Sequence, residues 1–229
     1  MNLLAFDTST EFLSIALQVG AQSWTFHVEA GSSASQRILP EIHVLLSAAK
    51  IQLTALDGIA FGAGPGAFTG VRVACGVAQG LAFAADLPVV GVHTLMAVAQ
   101  ASARDKVIVC QDARMGEVYF AAYEKNQGAW VTVSPAIVCK PEQVPTLDGD
   151  DWVGVGSGWA AYMSQLSAVY QHRLSEVLPD ITPNARAILA LAQPQFLAGL
   201  TQVAEEIAPI YIRNRVALTT QERAQGLRI

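Results

Sequence analysis

Little in this chain is charged. Of its 229 residues 14% are Asp, Glu, Lys or Arg, and 14 basic side chains face 19 acidic ones, a formal net charge of −5. Affinity for nucleic acid comes mainly from Lys and Arg neutralising phosphates, so the balance argues against independent nucleic-acid binding; a role on RNA requires a more basic partner. Cysteine is scarce and odd in number. Cys75, Cys110 and Cys139 stand 35 and 29 residues apart, which suits neither a disulfide framework nor a zinc site and leaves them as reduced, buried thiols. The four histidines, at 27, 43, 93 and 172, form no pair at i, i+3 or i, i+4, so histidine alone builds no helical metal site. Long hydrophobic runs are missing too: stretches such as residues 73 to 85 contain Gly, Ala and Gln and fall short of a membrane span. The start "MNLLAFDTST" has no basic region, long apolar segment or small-residue cleavage site, so the chain is expected to stay in the cytosol.

What is present is apolar patterning. A 52% apolar share and a mean hydropathy of +0.35 suffice for a substantial core in one large domain or two smaller ones. Residues 3 to 6 read as a buried strand ending at Asp7, followed by a "TST" turn and strands at 12 to 19 and 23 to 29. Apolar residues at 38, 39, 42, 45, 46 and 49 have helical spacing and predict an amphipathic helix over 35 to 49, with Pro40 inside it as a kink or a delayed start. A strand at 56 to 62, a helix at 70 to 85, the strand "PVVGV" and a helix at 94 to 104 complete the order βββαβαβα.

The pattern then begins again. "VIVCQDARMGEVYFAAY" repeats the layout of "LLAFDTSTEFLSIAL": buried strand, terminal Asp, polar turn, outgoing strand. Strands at 130 to 139 and 152 to 155, a helix at 158 to 172 and a helix starting at Thr182, with Thr182 and Pro183 as N-cap and first turn, follow. The expectation is two duplicated α/β halves, an N-terminal lobe of residues 1 to 104 and a C-terminal lobe of 105 to 229 whose last segment packs back on the first. A single irregular α/β domain is the alternative.

The stretch "GAGPGAFTGVR" at 62 to 72 invites a phosphate-binding reading. It has no Lys, which excludes a Walker loop, and Gly62, Gly64 and Gly66 miss the dinucleotide offsets, with Pro65 removing an N–H. What remains is a glycine turn before a helix, with Thr69 as N-cap and Arg72 in the first turn: a structural turn in the main, an anion-competent helix start in the minority reading. Asp7 and Asp112 could hold a metal-bound phosphate across two lobes or, with more weight, cap their own turns. Ser9, Ser33 and Ser157 carry no nucleophile signature, and "GVGSG" is not a nucleophile elbow. The helix at 70 to 85 alternates Ala74, Gly76, Ala78 and Gly80 with Val71, Val73, Val77 and Leu81; a helix apolar nearly all round is buried in its own domain or against a partner.

"LLAFDTST", "SQRILPEIHVLL", "GAGPGAFTGVRVACGVAQGLA", "GVHTLMAVA", "DARMGEVYFAAY" and "PIYIR" together resemble the bacterial TsaB family, also called YeaZ, along nearly the whole chain. The resemblance implies an α/β, actin-like ATPase fold, shared with sugar kinases and heat-shock ATPases, in two duplicated βββαβαβα lobes. It implies a role with the related catalytic subunit TsaD and the ATPase TsaE, placing a threonylcarbamoyl group on N6 of adenosine 37 in tRNAs that read codons starting with A. The donor, threonylcarbamoyl-AMP, comes from a separate synthase. Where the catalytic relative holds a metal with H-x-x-x-H, this chain has His93 but Ala97, and the second phosphate turn reads "DARMG" instead of Asp, any residue, Gly. These departures point to a subunit that is not an enzyme by itself, with no metal and no catalytic residues; tRNA is reached only through the complex.

Ile38, Ile42, Leu45, Val71, Ala74, Val77, Ala78 and Leu81 are the expected partner face toward TsaD, or toward a second copy in a homodimer when TsaD is absent. Asp7, Thr8, Ser9, Thr69, Arg72 and Asp112 are the candidate nucleotide or anion contacts, with ATP or ADP and Mg at this cleft or at the TsaD interface. The alternative function is a stand-alone ATPase or kinase-like enzyme, or a metallopeptidase, of the same fold. Relatives often carry His where this chain has Ala34, and the polar tail from 214 onwards has no assigned role.

Overall fold

The computed structural model describes residues 1–213; the tail from 214 lies outside the described residues. The first lobe contains β1 (Asn2–Asp7), β2 (Phe12–Val19), β3 (Gln22–Glu29), α1 (Ala34–Ala49), β4 (Gly58–Gly64), α2 (Phe68–Ala85), β5 (Val89–His93) and α3 (Thr94–Ala101). The second contains β6 (Lys106–Arg114), β7 (Glu117–Asn126), β8 (Ala129–Cys139), β9 (Trp152–Val155), α4 (Ser157–Tyr170), β10 (Leu174–Leu178) and α5 (Ala185–Leu197). The two five-stranded sheets have matching orders, β3-β2-β1-β4-β5 and β8-β7-β6-β9-β10. In each, the central strand pairs antiparallel with the strand after it and parallel with the strand beyond the crossover.

Alternation along the strands sends side chains to opposite sheet faces. Leu4 and Phe6 meet α1 and α2, whereas Leu3 and Ala5 meet α5. In the second sheet Ile108 and Cys110 meet Trp159, Leu166 and Tyr170 of α4, and Val107 and Val109 meet Leu95 and Val98 of α3. The helices α3 and α5 therefore lie against each other between the two sheets, each packed on the sheet of the opposite half of the chain.

Five local readings differ from expectation. The strand β10 is missing from them because "LSEVL" is half-exposed with no buried alternation. Among the described residues no helix matches α1 in the second lobe; a 3₁₀ turn at Pro141–Gln143 stands there instead. The last helix begins at Ala185 and not at Thr182: Asn184 is extended and its side chain accepts from Ala187 N at 3.0 Å, while Pro183 disfavours helical backbone at Thr182 before it. Helix α3 ends at Ala101, ahead of Ala103, whose φ is 53°. Finally, α2 is long and apolar enough by length and composition to be a membrane span, contrary to the sequence reading; here it lies along β4 and buries Val71, Ala74, Cys75, Ala78 and Ala82. Pro40 is accommodated inside α1 at an exposed position.

Candidate functional site: the interlobe cleft and the outward helix face

The strands β1 and β6 both end at a cleft between the lobes, a space of about 1130 Å³ lined from one side by Thr8, Ser9 and the 65–71 loop and from the other by Gln111, Asp112 and Ser157. Asp7 is buried behind it. Ser9 N and Ser9 Oγ donate to Asp7 Oδ1 at 2.9 and 2.8 Å, and Oδ2 has no partner. Burial lifts the Asp7 carboxyl from 3.8 to about 6, against the opposing pull of the two Ser9 hydrogen bonds.

Because the folded form binds this proton more tightly than the unfolded chain, the stabilisation it confers is fully present below the unfolded value and is lost as pH rises through about 6. The loss amounts to roughly 3 kcal/mol at about 1.4 kcal/mol per unit. Urea unfolding at about pH 4 and pH 8 is expected to show this slope, and Asp7→Asn to flatten it, since an amide carries no charge at either pH. An unchanged slope in the variant would assign the pH dependence to other groups.

Asp112 caps its own turn. It accepts from Arg114 N at 2.9 Å and pairs with Arg114 Nη1 at 3.0 Å, and its own N–H reaches Ser157 Oγ at 3.1 Å. It is not the counterpart of Asp7. Leu3 and Ala5 share a face as Val107 and Val109 do, each toward the central helices, so strand parity matches Asp7 with Gln111; Asp112 falls in register with Thr8. Gln111 is a cleft residue that the sequence reading missed. It is buried, its Oε1 accepts from Ser157 Oγ at 2.7 Å, and its Nε2 has no partner. Its only local signal is its place at the end of a buried strand.

The glycine loop is packed on the Thr8–Ser9 turn. Ala67 N donates to Ser9 O at 2.7 Å and Thr8 Oγ1 donates to Gly70 O at 2.7 Å. A Cβ on Gly66 would sit 2.5 Å from Ser9 O, and one on Gly70 1.8 Å from Thr8 O, so only glycine allows this approach. The N-cap of α2 is Ala67, and the exposed Thr69 lies inside the first turn rather than capping it. Arg72 turns away from Asp7: its guanidinium lies 3.3 Å from the Phe68 ring centroid and 4.9 Å from that of Tyr211, and Nη1 donates to Phe68 O at 3.0 Å. The cleft has room for a nucleotide. Within it, Thr8 Oγ1, Ala67 N and Arg72 Nη1 are engaged with the protein itself.

His93 is held down to about 4 by burial, with Nδ1 unpartnered, and Ala97 is buried one turn further on. Among the described residues no three His, Cys, Asp or Glu side chains converge to hold a metal.

The expected partner face needs correction. Ile38, Ile42, Leu45, Val71, Ala74 and Ala78 are buried in the first lobe's own core, and Val77 and Leu81 are partly buried against it. A regular apolar stripe on a helix is what its own sheet claims first. The outward side of α1 and α2 instead shows Leu39 at 51%, Val44 at 56% and Phe83 at 73% exposure, with Gly76 and Gly80 exposed and nothing within 4 Å of a Cβ built on either.

Residues 28–221 match the family model of "TsaD: tRNA N6-adenosine threonylcarbamoyltransferase". The "tRNA threonylcarbamoyladenosine biosynthesis protein TsaB" of Haemophilus influenzae is 41% identical over 230 residues, covering 94% of this chain and 95% of the relative. The chain belongs to the TsaB family. The Escherichia coli TsaB is 40% identical, with coverage of 95% and 96%. Among solved structures, "YeaZ from Pseudomonas aeruginosa" is 39% identical, covers 92% of this chain and 99% of its own, and superimposes with a TM-score of 0.85. Another, described as "an uncharacterized protein with similarity to peptidase YEAZ from Pseudomonas aeruginosa", reaches 0.86 at 39% identity, covering 93% and 99%. The duplicated sheets of this TsaB-family chain are the two lobes of the actin-like ATPase fold.

Proposed function

We propose that this chain is the non-catalytic partner subunit for threonylcarbamoyl transfer to N6 of adenosine 37 in tRNAs reading codons that start with A, acting in the cytoplasm with TsaD and TsaE. The observation that carries the reading is the outward face of α1 and α2. Gly76 and Gly80 weaken α2, each by about 1 kcal/mol relative to alanine, and no intramolecular contact explains them. Small residues on an exposed apolar helix face allow another helix to approach closely; Phe83 lies on the same side of α2, and Leu39 and Val44 of α1 add exposed apolar surface. We place TsaD there, and a second copy of this chain when TsaD is absent.

A non-catalytic role is supported by His93 standing with the buried Ala97 in place of a second histidine. It is also supported by the mutual packing of the Thr8–Ser9 turn and the glycine loop. A Mg–nucleotide used by the complex belongs, on this reading, at the TsaD interface rather than in the cleft. With a net charge of −5, the chain meets tRNA through its partners.

The test is reconstitution of threonylcarbamoylation from TsaD, TsaE, tRNA and threonylcarbamoyl-AMP, with and without this protein. Modified tRNA is expected only in its presence; equal product in its absence would refute the assignment.

A further inference from the structure

After α5 the chain returns along the first lobe, and its last described residue, Arg213, lies against the second. Gln202 bridges Val89 on β5, and Gln79 Nε2 donates to Ile207 O at 3.2 Å. Ile210 N then donates to Ala63 O at 2.7 Å near the end of β4. Three residues later the chain is anchored on the other lobe. Arg213 Nη2 lies 2.6 Å from Glu117 Oε2 and donates to Ala113 O at 3.0 Å. Both acceptors flank the β6–β7 turn. Ile210, Tyr211, Ile212 and Arg213 all line the cleft, and Tyr211 lies over the Arg72 guanidinium between the two anchors.

We propose that residues 210–213 are a clasp across the interlobe cleft, in which the Arg213–Glu117 pair holds the lobes together and its release lets the cleft widen. Among the described residues the main chain otherwise passes between the sheets only at the links from α3 to β6 and from β10 to α5. Two such links leave a hinge motion free, of the kind by which paired domains open and close. A third connection restrains it.

The third connection is reversible by construction. It is a non-covalent contact of a few side chains, unlike the buried cores on either side. The Arg213 side chain is only 11% exposed and Glu117 33%, so water screens the pair weakly and the charge-assisted bonds are correspondingly strong. Arg213 Nε, however, is buried without a partner, which leaves the guanidinium incompletely satisfied and the closed state short of its maximum stability.

Hydrogen exchange by mass spectrometry on the full chain tests the clasp. Arg213→Gln and Glu117→Gln are each expected to raise exchange about tenfold in peptides covering 63–70 and 111–117, equivalent to about 1.4 kcal/mol of easier opening. Peptides from β2 and β10, which do not line the cleft, keep the rate of the parent chain. The reversed pair, Arg213→Glu with Glu117→Arg, is expected to recover protection in the cleft segments. Unchanged exchange there in both single variants would overturn the clasp. So would a uniform rise over the whole chain, because that pattern reports global destabilisation instead of opening.

Discussion

Replacing Gly76 by arginine is expected to leave the isolated chain folded and, on the proposed function, to abolish its support of tRNA threonylcarbamoylation. The two halves of this result come from different geometry. Nothing lies within 4 Å of a Cβ at Gly76 or Gly80, so a side chain there projects into solvent, and the helix gains propensity on losing glycine. In a packed interface the same arginine brings an unpaired charge and a volume that holds the facing helix away, at a cost of several kcal/mol. Alanine separates the effects: Gly76→Ala and Gly80→Ala are each expected to stabilise the isolated chain, by up to about 1 kcal/mol, while weakening association. Unfolding curves, a sizing column with TsaD and the reconstituted reaction give the three readouts. A Gly76→Arg chain that still binds TsaD with parental affinity would move the partner to another face. The buried Ala74 and Ala78 cannot serve this test, because arginine at either would unfold the lobe first.

Gly70→Ala is expected to have the opposite profile, damaging the isolated chain itself. Its Cβ would fall 1.8 Å from Thr8 O, where real contacts do not reach, and the obstacle is backbone with little freedom to yield. Thr8 is tied to the same residue by its hydroxyl, which donates to Gly70 O, and the adjoining Ser9 O accepts from Ala67 N. Relief requires α2 to withdraw from β1, opening the core around Phe6 and Ala74. Overpacking of this kind costs on the order of 3 kcal/mol, a fall in Tm of roughly 6–12 °C for a chain of this size. Thermal unfolding measures it; a shift below about 2 °C would show that the loop adapts and that glycine is not required there.

The contrast between Gly70 and Gly76, six residues apart on one helix, shows where local pattern stops being informative. Both belong to the run of small residues in "GAFTGVRVACGVAQG", and nothing local separates them. One is small because a carbonyl of the same chain lies against it; the other faces outward. The same holds for α1 and α2 as a pair. Periodicity shows that each helix has an apolar stripe, and Ile38, Ile42 and Ala74 carry it. When the opposite side is also apolar, the pattern does not say which side the sheet takes.

At the cleft the sequence placed the end of β1 correctly but ended β6 at Asp112, two residues short of Arg114; the capping of the β6–β7 turn by Asp112 follows from its short side chain beside a tight turn. It aligned Asp7 with Asp112 because both are aspartates after a buried run. Pairing register decides this instead: a shift of one residue exchanges the sheet faces, and the faces match Asp7 with Gln111.

What the sequence determined by itself is the local and the repeated: the alternation of strands, the helical stripes, the second appearance of the same order of strands, and the family motifs, all encoded by residues near one another in the chain. Tertiary structure alone decided the exchange of α3 and α5 between sheets, the burial of the regular stripe with the glycine face left outward, and the return of Arg213 to Glu117. Each of these depends on contacts between residues distant in the chain, and which of several compatible surfaces wins is settled by the apolar area that the whole fold can bury at once.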